Sequence, residues 1–381
     1  MGRNNFSHIT CSEHIIYKIV YISLFILGTV CLAQKENEMR IFKWKELAVL
    51  PAAQRQCDAL GVAGPYSGVS NNALIVAGGA NFPKPYWENS KVWLDDIWVL
   101  EKISEDYYWR TGFRLDKNIA YGMSVTTDYG VVCIGGLDEK KVYSDAFVLR
   151  WNSKEKNIIC EELPSLPQPC ANGGCTAIGN KIYVVSGQRE MALESAVKDF
   201  WVLDLDKRDN DVFEWQKLND FPGRPRACSM TVSQYNGEEE CIYVIGGRSK
   251  DSDQEITFLN DIWEYNPVQK TWLRKKSAER PFCAGTAASI GRNYIYIFGA
   301  SDGSLYGKGD TLKEDHPGFS KEIFAYDTTE NTWSMNGEMP KTHVTSNAVN
   351  WNDYIVITSG EISPRIRSPK IWIGNGFESV K

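Results

Sequence analysis

The densest group of reactive side chains lies near the end of the chain. There Ser359-Gly360-Glu361-Ile362-Ser363-Pro364-Arg365-Ile366-Arg367 brings one carboxylate, two hydroxyls and two guanidiniums together. A carboxylate can take a proton from a hydroxyl, and a guanidinium can hold an acidic group through two parallel hydrogen bonds. The plain alternative is a surface Glu/Arg ion pair, worth about 0 to 1 kcal/mol and without function. Other chemistries have little material. The chain has 4 histidines, of which only His316 and His343 lie beyond residue 33, so a multi-histidine metal site is disfavoured. Neither sits in a GxSxG nucleophile elbow, and there is no CxxC pair, glycine-rich phosphate loop or dinucleotide fingerprint. No metal and no cofactor is implied. Chemistry here rests on carboxylates, arginines and hydroxyls.

The elements that must position these groups repeat. A run of apolar β-formers ending in a small doublet occurs six times: ALIVAGG ending at Gly79, VVCIGG at Gly136, YVVSG at Gly187, YVIGG at Gly247, YIFGA at Ala300 and YIVITSG at Gly360. The interval is about 50 to 60 residues, the kelch period, and half the repeat of a row of β-sandwich domains. Each doublet is followed by a second marker, as in Asp96-Ile97-Trp98, Asp199-Phe200-Trp201, Asp261-Ile262-Trp263 and Lys370-Ile371-Trp372. A tryptophan then opens an outer strand at Trp109, Trp215, Trp272 and Trp333. The recurrence of Trp98, Trp201 and Trp263 at one strand position points to packing between blades.

The sixth repeat stops soon after Trp372 and lacks its outer strand. Phe42-Lys43-Trp44-Lys45-Glu46-Leu47, followed by Leu50-Pro51, resembles Phe213-Glu214-Trp215-Gln216-Lys217-Leu218 followed by Phe221-Pro222. The reading is an all-β, six-bladed kelch-type propeller with four strands per blade, its last blade completed by the N-terminal strand; closure removes the open sheet edges. Polar residues just past the doublets then gather at one mouth of the central channel: Asn81, Asp138, Gln188 with Arg189, Arg248, Ser301 with Asp302, and Glu361 with Arg365 and Arg367. Asn81, Arg189, Arg248, Asp302 and Arg365 are the weaker candidates for ligand binding, since most such residues are solvated loop side chains.

A net charge of −6 without any Lys/Arg block argues against nucleic acid as a partner. From Ile19 to Ala33 the chain reads IVYISLFILGTVCLA after Lys18. This run is short for a bilayer span and reads as a signal peptide over residues 1–33, with an uncleaved anchor as the alternative. A single propeller domain over 34–381, exported to the periplasm or secreted and not stably inserted in a membrane, is the expectation. Eight cysteines follow the leader; Cys170 and Cys175 are spaced to pair, or all are free, buried thiols.

The doublet loop bearing Glu361, with an arginine six residues on at Arg367, resembles that of the kelch-type N-acetylneuraminate epimerases, or sialic acid mutarotases. Gly61-Val62-Ala63-Gly64 leading to Ala77-Gly78-Gly79-Ala80, and Ala120-Tyr121-Gly122-Met123-Ser124-Val125 leading to Ile134-Gly135-Gly136, extend the resemblance over the chain beyond the leader. The blade bearing the glutamate and arginine is last here and internal in the usual arrangement, so the chain resembles a cyclically permuted branch of that family. The loops after Gly79 and Ala300 are short for it.

The resemblance implies interconversion of the anomers of a small acidic sugar, sialic acid. Glu361 is then the general base and Arg367 the clamp on the sugar carboxylate, with Arg365 second. Two rivals are a non-catalytic kelch propeller binding glycan or protein at the same mouth, and a sialidase, whose repeated Asp-box turns are not found here.

Overall fold

The computed structural model describes residues 39–251 and 255–379; the apolar run Ile19–Ala33 lies outside them. Six four-stranded antiparallel sheets stand around an axis. In blade 1 the strands run Tyr66–Ser70, Ala73–Ala77, Asp96–Ile103 and Asp106–Arg114 from the channel outward. Blades 2 to 5 repeat that order, and their innermost strands are Met123–Thr127, Gly174–Ile178, Met230–Tyr235 and Thr286–Ile290. Blade 6 takes its inner three strands from Ala348–Trp351, Tyr354–Ile357 and Trp372–Ser379, and its outer strand from Arg40–Glu46.

Position in the blade explains the composition of each strand. The doublets close the second strand, not the innermost one. That second strand is covered on both faces by neighbouring blades, so Ala73–Ala77 and Gly130–Ile134 are buried throughout and read as unbroken apolar runs. The innermost strands, rich in Ser, Thr, Gly and Ala, line the channel because six strands converge there and larger side chains would collide. Trp98 is buried between blades as its recurrence implied, whereas Trp201 and Trp263 are half-buried against the adjoining clusters.

The N-terminal strand closes the ring by shape as much as by hydrogen bonds. Trp44 pairs with Gly374, where a Cβ would come within 2.8 Å of the indole, so only glycine lets the ring lie across the strand. Phe42 stands edge-on to Tyr296 and Phe298 of blade 5, with centroids 5.0 and 5.2 Å away. The segment then crosses to blade 1, where the Gln54 N–H donates to Asp96 Oδ1 at 2.8 Å.

At one end of the channel, six lead-in segments meet in a closed ring of backbone hydrogen bonds. Tyr121 N–H donates to Gly64 O, Asn172 to Tyr121, Cys228 to Asn172, Ala284 to Cys228, Thr345 to Ala284 and Gly64 to Thr345, at 2.7 to 3.0 Å. All six donors have positive φ, from 51° at Thr345 to 64° at Gly64. That left-handed backbone points each N–H at its neighbour, and only one of the six is glycine.

Two outcomes are expected. Removing residues 41–51 should lower the melting temperature sharply and produce oligomers in sizing chromatography; a monomer melting like the parent would refute the closure. Within the ring, Gly64→Ala puts a Cβ within 2.7 Å of Tyr121 N and should destabilise. Ala284→Gly relieves about 1 kcal/mol of left-handed strain and should be neutral or stabilising by denaturant titration.

Candidate active site

The residue that follows each doublet bridges back to the residue before the hydrogen-bonded ring. The pairs are Ala63–Ala80, Ala120–Leu137, Ala171–Gln188, Ala227–Arg248, Cys283–Ser301 and Val344–Glu361. Leu137, Gln188, Arg248, Ser301 and Glu361 all line a cavity of about 910 Å³ whose floor includes Tyr121, Asn172, Cys228, Ala284 and Thr345. The loops after Gly79 and Ala300 build much of the wall, through Phe82, Trp87, Lys91 and Trp93 from the first and Tyr306 and His316 from the second.

Alternation keeps two of the polar residues out of this cavity, because a shift of one residue turns a side chain to the other face. Asn81 follows the bridging Ala80 and is buried away from the cavity, donating to Gly61 O at 2.9 Å and exchanging bonds with the Gln56 amide. Arg189 follows Gln188 and is committed to Asp199 at 2.7 Å. Neither lines the cavity. Asp138, one past Leu137, accepts from Lys140 N, Lys141 N and Tyr143 Oη in a turn. Asp302 lines the wall, with its carboxylate accepting from Ser304 N at 2.9 Å; burial works against its charge, but the Ser304 bonds outweigh it and hold the carboxyl below its ordinary range.

Glu361, Arg365 and Arg367 come together on a two-stranded ribbon, Gly360–Ser363 with Ile366–Ser368. Glu361 Oε1 accepts from Arg365 N at 3.0 Å and from Arg367 Nη1 at 3.1 Å. The glutamate side chain is 17% exposed and that of Arg367 3%. Both guanidiniums lie 4.9 Å from the Phe82 ring, and Arg365 also covers Trp87 at 5.2 Å. Arg365 Nη1 donates to Tyr86 O at 3.3 Å, so most of that side chain serves to brace the ribbon against the blade 1 loop.

Arg248 forms no ion pair with a carboxylate among the described residues, and its Nε is buried without a partner. Its guanidinium faces Cys228. A hydrogen bond from the Cys283 thiol, together with the Arg248 charge, pulls Cys228 well below the usual thiol range, while Cys283 is pushed up. All eight cysteines of the described residues are free thiols, Cys170 and Cys175 included. The described residues include no group of three or more His, Cys, Asp or Glu side chains able to hold a metal, and no helix long and apolar enough to cross a membrane.

The ribbon is anchored from below. His343, fully buried, donates from Nδ1 to Thr358 O at 2.8 Å. Ser359 Oγ, one residue on, accepts from Val62 N at 2.7 Å and donates to Ser368 O at 2.7 Å. Sequence reasoning gave His343 no supporting role and placed none of Tyr121, Cys228 and His316 in the cavity. The small-residue steps Ala63-Gly64, Ala120-Tyr121, Ala171-Asn172 and Ala227-Cys228 were the available signal.

Fold and site together define a six-bladed kelch-type propeller carrying a buttressed carboxylate–guanidinium pair in a deep cavity at one mouth. Residues 27–158 and 163–316 match the sequence model of the N-acetylneuraminate epimerases, and the chain belongs to that family. It is 27% identical over 239 residues to the N-acetylneuraminate epimerase of Yersinia enterocolitica and 28% identical over 233 residues to that of Salmonella enteritidis. Those matches cover 56% and 55% of this chain and span 57% of each relative's length. The solved structure of YjhT superposes with a TM-score of 0.62 over 86% of this chain and 97% of its own, at 14% identity, and shares the fold.

The His343 environment sets a pH dependence. Burial pushes its imidazole down to about 4 in the folded protein, against about 6.5 when unfolded. The unfolded chain therefore binds the extra proton between these values. Stability is fully present above about pH 6.5 and falls as pH drops toward 4, by about 2 kcal/mol at pH 5. His343→Gln keeps a donor for Thr358 and should remove that component; equal acid sensitivity of variant and parent in pH-dependent melts would contradict the assignment.

Proposed function

We propose that the chain is a sialic acid mutarotase, an isomerase that interconverts the α and β anomers of N-acetylneuraminate by acid–base assisted ring opening. The observation that carries this reading is Glu361, a carboxylate held by two donors and lining a cavity large enough to admit a sugar, in a chain of the epimerase family. Ring opening removes the proton of the anomeric hydroxyl and protonates the ring oxygen; reclosure on the other face reverses both. One oriented carboxylate is suited to start this as general base. The reaction occurs unaided in water, so modest assistance from positioning suffices and no cofactor is required.

The acid sugar also needs a cation for its carboxylate. Arg367 is almost fully buried with Nη1 on Glu361, which favours a role in orienting the base. Arg248 lines the cavity without a carboxylate partner among the described residues and is the better placed anchor. The family match ends at residue 316, before the ribbon with Glu361 and Arg367. A permuted blade order, with that blade internal in the usual arrangement, accounts for this. The apolar run at residues 19–33, read as an export leader, supports a working protein outside the cytoplasm.

Anomer-resolved NMR on freshly released N-acetylneuraminate tests the assignment. Glu361→Gln should slow catalysed exchange by about 10² to 10⁴ with the fold and sugar binding intact. Arg248→Met should weaken binding of the acid sugar, and Arg367→Lys should lower the rate more than the affinity. Parent-like exchange by Glu361→Gln at matched concentration would refute the mutarotase reading. Loss of binding in Arg367→Lys would return the carboxylate clamp to that residue.

A further inference from the structure

Removing a proton from the anomeric hydroxyl is half of ring opening. As the bond between the anomeric carbon and the ring oxygen breaks, that oxygen takes the electron pair, and a donor aimed at it lowers the barrier. We infer that His316 is this donor, acting as an uncharged imidazole through its Nε2–H. The inference rests on the mutarotase reading of the same site.

The ring tautomer of His316 follows from its neighbour. Gly318 N–H donates to His316 Nδ1 at 3.0 Å. A backbone amide has only a proton to offer, so Nδ1 accepts and the ring proton of the neutral side chain sits on Nε2. His316 lines the cavity, is 7% exposed, and packs its ring against Phe319 at 5.9 Å. Among the described residues no hydrogen bond occupies Nε2, and it is not among the buried orphan atoms.

The turn that carries the imidazole is fixed against the Glu361 ribbon. Gly318 has φ +88°, and a Cβ there would come within 2.7 Å of Ile362 O, the carbonyl next after Glu361. Only glycine allows this contact, which places His316 and Glu361 on abutting segments of one wall. The Ala300 loop therefore supplies chemistry as well as enclosure.

The step balances without a net change in either residue. Glu361 takes the anomeric proton, the ring bond breaks, and the ring oxygen is held as an oxyanion by His316 Nε2–H. The proton on Glu361 then passes to that oxygen, giving the open-chain keto acid and the original carboxylate. Reclosure runs the steps backwards on the other face. A neutral imidazole serves here because it polarises oxygen without surrendering its proton.

Two substitutions separate this role from a structural one. His316→Asn keeps an acceptor for Gly318 N–H and lacks the distal donor; His316→Gln offers an amide N–H near the Nε2 position. Catalysed exchange by anomer-resolved NMR should fall by about 10² in His316→Asn and by markedly less in His316→Gln, with melting temperature and calorimetric affinity for the sugar unchanged in both. Parent-like exchange by His316→Asn would overturn the inference. So would equal losses in both variants that track a fall in affinity or melting temperature. If Glu361→Gln is inactive while His316→Asn is not, the inference alone fails; parent-like exchange by both removes the mutarotase reading itself.

Discussion

The ring of six backbone hydrogen bonds from Gly64 through Tyr121, Asn172, Cys228, Ala284 and Thr345 is the constraint on which the rest depends. Each bond joins one blade to the next, and each requires a left-handed residue, costing about 1 to 2 kcal/mol where that residue is not glycine. The strain persists because a buried amide left without a partner would cost a comparable amount. An open ring would orphan one donor and one acceptor. The N-terminal strand across blade 6 is thus coupled to the geometry of the channel mouth, even though Arg40–Glu46 contributes no side chain to the cavity.

From that ring the chain rises into the bridging positions, so five of the six blades offer the residue at that position to the same cavity. Four blades use this position for Leu137, Gln188, Arg248 and Ser301, the first fills it with buried Ala80, and the sixth places Glu361 there. Function has been laid on a symmetric frame by varying single side chains. The asymmetry comes from the loops, since blades 1, 4 and 6 extend into two-stranded ribbons and blade 5 into the segment bearing His316. Aromatic rings from the blade 1 loop hold Arg365 and Arg367 in place.

Charge in the cavity is arranged in two sets. Glu361 has its own guanidinium in Arg367, which fixes its orientation. Arg248 faces a thiol held toward its anionic form by Cys283 and by Arg248 itself. A cysteine sulfur is a weaker hydrogen-bond acceptor than a carboxylate, so an incoming acidic sugar competes for Arg248 without first displacing a carboxylate.

Blade number, the closing N-terminal strand and the Glu361–Arg367 loop were legible in the sequence because each is a local pattern. Doublets, tryptophans and turns recur at a fixed period, and Glu361 and Arg367 are six residues apart on one hairpin. Which of the post-doublet residues face the cavity was not legible. In blades 1 and 3 the polar residues Asn81 and Arg189 lie one step past the bridge, and the alternation of a strand turns them away from the cavity. The partners of Arg367 and Arg248, the support from His343 and the placement of His316 depend on contacts between blades that are distant along the chain. Only closure of the ring brings those segments together, and so only the tertiary structure decided them.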